Sequence, residues 1–241
     1  MKYVARPVVS ISDLIEKLKA DLASCTGPFW YRGQADKAWK LLPRLSRLNR
    51  NINEIDLLRR FRQNATLLIN PRPQKTEEWL FIMQHHGAPT RLLDWSESPL
   101  MATFFGVNTE PEKDGALWVL MPLELNKQGG NQEIPAFEEE NTLSAYLPEF
   151  IDKRTTVTYL PTAISATRNT PRMQSQLSVF TISHKAKMPI ESIGDKHHIW
   201  RYIIPRDKKP TILKELSLLG ISRFQLFPEL QTLGELIGES C

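Results

Sequence analysis

The chain has 241 residues, 41% of them hydrophobic and 24% charged, with a formal net charge of +4. That composition predicts one soluble globular domain with a substantial core and excludes a disordered or fibrous chain. Two cysteines, Cys25 and Cys241, are too few for a disulfide framework and do not stand at metal-site spacing, and the opening MKYVARPVVSISDLIEKL has no apolar core of a signal peptide, so a cytoplasmic protein with no membrane span is expected.

In chain order, Ser12 and Asp13 are the expected caps of a first helix running to about residue 24. The stretch PFWYRGQ, bounded by Gly27-Pro28 and Gly33, reads as a short strand that delivers Tyr31 and Arg32 at its end. Arginine is an odd choice there, because burying an unpaired guanidinium costs several kcal/mol. It is at the surface, paired within the protein (Asp94 is the candidate), or holding an anion. Residues 54–69 place Ile55, Leu58, Phe61, Ala65 and Leu68 on one helical face. A further helix from Glu77 to His86 stops at Gly87, with Trp79, Ile82, Met83 and His86 sharing a face and His86 expected as a core histidine. Next, RLLDWS is a strand or turn whose end aims Asp94, Trp95 and Ser96 outward, and PLMATFFGV is a buried helix with Ser98 as N-cap and Pro99 at its first position. ALWVLMPL and HIWRYIIP suit inner strands, TILKELSLLG a helix ending at Gly220, ISRFQLFPEL a returning strand, and a last helix starts near Pro228. Residues 124–142 carry the weakest pattern and are expected as a surface loop. Helices and strands alternate without a βαβ rhythm, which places the chain in the α+β class.

Charge is unevenly spread. Residues 32–75 hold eleven basic side chains (Arg32, Lys37, Lys40, Arg44, Arg47, Arg50, Arg59, Arg60, Arg62, Arg72, Lys75) against Asp36, Glu54 and Asp56, a candidate polyanion surface. Residues 110–150 reverse the sign, with nine acids (Glu110, Glu112, Asp114, Glu124, Glu133, Glu138, Glu139, Glu140, Glu149) against Lys113 and Lys127. Both could equally be solvated faces. The pairs His85-His86 and His197-His198 lack cysteines or spaced carboxylates nearby, so no metal site is expected.

The motifs FWYRGQ, QHHGAPTRLLDWSESPLMATFFGV, RMQSQLSVFTI and LSLLGISRFQLFPEL, in that order, resemble the FRG domain, a bacterial family named for its aromatic-Arg-Gly signature; Glu229 stands where the family is expected often to carry aspartate. A second resemblance is to ADP-ribosyltransferases of the arginine-serine-glutamate type. Tyr31-Arg32-Gly33 is similar to their first element, and Asp94-Trp95-Ser96 with Ser98, Pro99, Ala102 and Phe105 is similar in spacing to their second, Asp and Trp replacing Ser and Thr. Gln176 opens the expected third strand, with Ser178 where a glutamate would stand and Glu229 the other acidic candidate.

These resemblances imply a mixed, mostly antiparallel split sheet flanked by helices and an NAD-dependent transferase. They imply a bacterial toxin or phage-defence effector, and the basic stretch at 32–75 points to nucleic acid, RNA above all, as the acceptor, or to a protein acceptor, the same face being able to dock an acidic partner such as an antitoxin. Tyr31, Arg32, Gly33, Gln34, Thr90, Arg91 and Trp95 are then expected to hold NAD, and Glu229, Asp94, Ser96 and Gln176 to act in catalysis. The physical logic is consistent: cleaving nicotinamide from ribose leaves an oxocarbenium-like centre that needs a carboxylate or fixed dipole, and a guanidinium fork grips pyrophosphate bidentately. Two rival readings are a non-catalytic nucleotide- or nucleic-acid-binding module and a hydrolase or nuclease built on His85, His86 and Asp94.

Overall fold

The structure, a computed structural model, describes residues 1–48, 52–137, 141–151, 157–185 and 187–239. Arg50 of the basic stretch, Glu138, Glu139 and Glu140 of the acidic one, and Cys241 lie outside the described residues.

Among the described residues, strands of two to six residues, most of them apolar, form one seven-stranded sheet. In chain order its strands are β1 (Arg6–Pro7), β2 (Trp30–Gln34), β3 (Leu92–Ser96), β4 (Gly115–Leu120), β5 (Thr162–Ile164), β6 (Ser178–Ile182) and β7 (Ile199–Ile204), arranged β1-β7-β4-β2-β3-β6-β5. The two-residue β1 runs parallel to β7, and the other pairs are antiparallel. All of β4 and β6 is buried, the pattern of strands covered on both faces. The α+β fold with a mixed, mostly antiparallel sheet flanked by helices follows the expectation.

The helices are α1 (Ile11–Leu22), α2 (Arg44–Arg47), α3 (Glu54–Ala65), α4 (Thr76–His85), α5 (Pro99–Val107), α6 (Pro122–Gln128), α7 (Pro148–Ile151), α8 (Pro171–Ser175), α9 (Lys209–Leu218), α10 (Arg223–Leu226) and α11 (Leu230–Glu239). One apolar cluster packs Leu14 and Leu18 of α1, Phe104 of α5 and Ile212 and Leu216 of α9 onto Leu117 and Tyr202 of the sheet. A second packs Leu58 of α3 and Trp79, Leu80 and Phe81 of α4 onto Phe180 and Ile182. A third gathers Trp30, Trp95 and Trp118 with Ile190 and Ile199.

Five residues of β2 pair with β4, and five of β3 pair with β6, but β2 and β3 meet only at Tyr31↔Ser96. Beyond that contact the ladder opens, so the middle of the sheet carries a seam.

Several expectations are corrected. The N-cap of α1 is Ser10, whose side chain accepts from the Asp13 N–H, so Asp13 belongs to the first turn, where it suits the helix dipole. ISRFQLFPEL is not a strand: Ser222 accepts from the Gln225 N–H and starts α10. The 124–142 segment is not a simple surface loop, because α6 occupies its start and Phe137 is buried. Asn126, also buried, bonds the Ala163 N–H at 2.7 Å and the Thr162 hydroxyl at 2.8 Å, fastening the segment to β5. Leu68 lies beyond α3 and is exposed, and His86, the cap of α4, is exposed rather than in the core.

Candidate functional site

The seam between β2 and β3 opens into a cleft of ≈ 200 Å³. Tyr31, Arg32 and Gly33 supply one edge and Asp94, Trp95 and Ser96 the other, while α4 contributes Gln84 and His85 and the α8 region Arg172 and Gln176.

Arg32 bridges the opened ladder. Its Nη1 donates to the Asp94 backbone carbonyl, and the Asp94 carboxylate lies at 4.0 Å, the outer limit of an ion pair. Its Nε is buried with no hydrogen-bond partner, an arrangement that costs free energy unless something in the cleft accepts from it. Burial draws the guanidinium pKa below its ordinary value, Asp94 opposes the shift, and the nearby Arg47 adds to it. The bond to Asp94 therefore answers only part of what Arg32 asks for.

Asp94 is oriented from α4. Its Oδ2 accepts from Gln84 Nε2 at 2.6 Å, and Gln84 Oε1 in turn accepts from the hydroxyl of Thr90. On the opposite wall, Arg172 Nη1 donates to the His85 carbonyl at 3.1 Å, and its guanidinium sits 4.5 Å over the Phe227 ring. Glu229, immediately before α11, brings Oε1 to 3.4 Å from His85 Nε2 and 3.9 Å from Arg172 Nη1, and that oxygen is buried without a hydrogen bond. Burial lowers the pKa of His85, Arg172 and His86 lower it further, and Glu229 opposes them; His85 is neutral at pH 7. Burial also raises the Tyr31 phenol to about 12, so it too is neutral.

The other expected site residues divide. Ser96 Oγ donates to the Gln176 carbonyl at 2.7 Å and accepts from the Ser98 N–H at 3.0 Å, which ties the end of β3 to the α8 turn. Gln176 does not open a strand. It caps α8, and its Nε2 donates to the Leu226 carbonyl at 2.9 Å, the link that brings α10 and Glu229 towards the cleft. The bareness of Gly33 serves the fold: a Cβ there would lie 1.9 Å from the Ala102 carbonyl oxygen and 2.6 Å from the Gly106 nitrogen, so α5 can pack onto β2. Trp95 is a buried cleft wall whose Nε1 donates to Thr181 Oγ1 at 3.1 Å, leaving no free face for stacking.

Three residues expected at the cofactor are used elsewhere. Gln34 is buried and accepts from Trp118 Nε1 at 2.8 Å. Thr90 is fully buried behind Gln84. Arg91 precedes β3 at the end away from Ser96 and forms a buried ion pair with Glu54. The residues that sequence reasoning passed over are Gln84 and Arg172, with His85 weighed only for metal or hydrolytic chemistry. Gln84 and His85 belong to the densest motif and Arg172 opens RMQSQLSVFTI; their positions were in view and their roles were not.

The basic stretch is partly taken up by the fold. Lys37 pairs with Asp114 at 2.8 Å, Arg59 with Asp56 at 3.6 Å, Arg62 donates to Thr76 Oγ1 at 2.9 Å, and Arg44 donates to the Gly87 carbonyl. Arg47 is exposed and close enough to Arg32 to act on its pKa. Among the described residues, no group of three or more His, Cys, Asp or Glu side chains could hold a metal ion, and no helix is long and apolar enough to cross a membrane.

Residues 27–115 match the family model for the FRG domain. The matched span runs from before β2 to the first residue of β4 and includes Arg32, Gln84, His85, Asp94 and Ser96, whereas Arg172, Gln176 and Glu229 lie beyond it. Neither the curated proteins nor the solved structures gave a significant match.

Proposed function

The chain carries an FRG domain over residues 27–115, and on that premise we propose that the cleft binds NAD and transfers its ADP-ribose to an acceptor. The observation that carries this reading is Arg32 in the seam: a half-buried cation with one internal bond, an unsatisfied Nε, and the Asp94 carboxylate on the facing edge. An anion with several oxygens would complete its hydrogen bonding, and a pyrophosphate does so in the planar fork geometry that guanidinium favours. At ≈ 200 Å³ the cleft is smaller than the roughly 300–1,000 Å³ usual for whole ligands. It takes the nicotinamide–ribose end and the adjoining phosphate, with the adenosine end along the open mouth.

Glycosidic cleavage sends the bonding electrons to the nicotinamide nitrogen and leaves positive charge on the ribose. Glu229, with a buried oxygen lacking a hydrogen bond, faces that charge, and Asp94, held by Gln84, orients Arg32 or the ribose. The acceptor then bonds to C1′ and gives its proton to a carboxylate. For the acceptor we favour single-stranded RNA: Arg47 and Arg44 are exposed on α2, and Trp39, 42% exposed, offers a stacking face that the buried Trp95 does not. Such an enzyme would act as a toxin or phage-defence effector and be neutralised by an antitoxin.

The test is to incubate the full chain with labelled NAD, with and without single-stranded RNA, and to measure nicotinamide release and label transfer. RNA-dependent release with ribonuclease-sensitive label is expected. NAD bound but never cleaved would leave a nucleotide-binding module, and protease-sensitive label would make the acceptor a protein.

A further inference from the structure

His85 is the last residue of α4 and lines the cleft, and its Nε2 lies 3.4 Å from Glu229 Oε1. It is held from two sides: its carbonyl accepts from Arg172 Nη1 at 3.1 Å, and its ring meets that of His86 edge-on at 4.7 Å. Glu229 Oε1 is buried, so a proton leaving the cleft for that oxygen must pass one of its two neighbours on the cleft wall, His85 or Arg172. A guanidinium has no site for an incoming proton, whereas a neutral imidazole has one donor and one acceptor nitrogen. The carboxylate beside Nε2 keeps the hydrogen there and leaves Nδ1 to accept. Catalytic pairs of this kind are often long before substrate binds and tighten in the complex.

We propose that His85 is a catalytic residue that carries the acceptor's proton from the cleft to Glu229, an inference that rests on the transferase reading of the cleft. As the attacking atom of the acceptor bonds to C1′, its proton passes to His85 Nδ1 and the Nε2 proton passes to Glu229 Oε1. The imidazole is left neutral in its other tautomer and the carboxylate protonated. The glycosidic electron pair has gone to the nicotinamide nitrogen, so charge and protons balance, and exchange with water resets both groups. Such a relay is needed only where the attacking atom must lose a proton, so the acceptor is an O–H or N–H group rather than a ring nitrogen with a free lone pair. The charged and titratable groups around His85 are Arg172 of α8, His86 of α4 and Glu229, with Tyr31, Arg32 and Asp94 lining the same cleft. Burial, Arg172 and His86 keep the imidazole neutral at pH 7 against the opposing pull of Glu229, the state a proton acceptor needs.

Steady-state turnover of the full chain with labelled NAD and single-stranded RNA, followed on both sides of pH 6.5, tests the relay. The base must be unprotonated, so kcat of the parent chain should fall as pH drops below 6.5. His85→Gln can hydrogen-bond but cannot take up a proton. Its kcat should fall by about 10²- to 10⁴-fold, the usual contribution of a positioned base, and its profile should lose the acid limb. NAD affinity by calorimetry and the thermal midpoint should stay near the parent values. In His85→Ala, added imidazole should restore turnover in proportion to its neutral form. Parental kcat in His85→Gln, an acid limb that survives the substitution, or no rescue by imidazole would each overturn the relay and leave the transferase reading standing. A parent chain that releases no nicotinamide would remove that reading and the relay with it.

Discussion

At Arg32 the fold commits Nη1 to a β3 carbonyl and leaves Nε unsatisfied, so removing the side chain separates the structural role from the binding role. Charge-assisted hydrogen bonds contribute about 1.5–3 kcal/mol, so Arg32→Ala should weaken NAD binding at least about tenfold by calorimetry in a protein that still unfolds cooperatively. Arg32→Lys should restore little, because an ammonium cannot reproduce the fork. Unchanged affinity in folded Arg32→Ala would confine this arginine to holding the seam. The two carboxylates are told apart by kinetics. Glu229→Gln should lower kcat while leaving NAD affinity near the parent value, and Asp94→Asn should act mainly on binding, because Asp94 is already engaged by Gln84. The reverse pattern would exchange their roles. Arg32 drew the expectation of a partner in the sequence because a cation at the end of an aromatic strand is costly unless used. Arg91 drew the same expectation, and the fold pairs it with Glu54, 37 residues away, a pairing that neighbouring residue types do not reveal.

Elements were legible where a local signal decided them. Ser98-Pro99 announced α5, Gly87 and Gly220 announced helix ends with positive φ, and the apolar runs announced β4 and β7. The three-residue β5 and two-residue β1 were not, because edge strands that short exist only through pairing with a distant partner. The segment 221–230 was misread for another reason. Its scattered apolar residues fit a strand, but Ser222 three residues before Gln225 favours a helix start, and the capping bond decides the outcome. Packing of α5 on β2 gives a prediction at this scale. Gly33→Ala places a methyl inside contact distance of the α5 backbone, and overpacking of this kind costs about 1–3 kcal/mol. The thermal midpoint should fall by several degrees, and the seam should widen enough to reduce ligand binding. An unchanged midpoint would mean that α5 has more freedom to move than its close packing implies.

Over the whole molecule, the resemblance implied a mixed, mostly antiparallel sheet, but neither the strand order nor the seam was legible in the sequence, because strand order depends on pairings between segments as distant as Arg6 and Tyr202. Three histidines, His184 and His198 buried and His85 partly so, supply a further property that no motif announces. His85, His184 and His198 each have a pKa lowered from 6.5, in every case chiefly by burial. His184 stands among the rings of Tyr146 and Tyr159, and His198 is fully buried with Nε2 3.1 Å from the Ile190 carbonyl. Below pH 6.5 the unfolded chain takes up protons at these positions before the folded one does. Stability therefore rises with pH in that window. Their contribution is complete above 6.5 and is lost as pH falls through 6.5 towards the folded-state values. The carboxylates act lower. Asp114, held down by its bond to Lys37, and Asp195, by the His197 N–H, have folded pKa values below 3.8, so their contribution persists to about that pH and disappears beneath it. Urea unfolding as a function of pH should show a plateau above 7, a first decline beginning near 6.5 and a second below 3.8. Substituting His198 with Gln, whose amide can still meet the Ile190 carbonyl, should lower the plateau through imperfect packing and make the first decline shallower. A first decline that keeps its slope in that variant would assign the acid sensitivity to His85 and His184, and no decline at all between pH 7 and 5 would mean that the folded protein accommodates all three as cations.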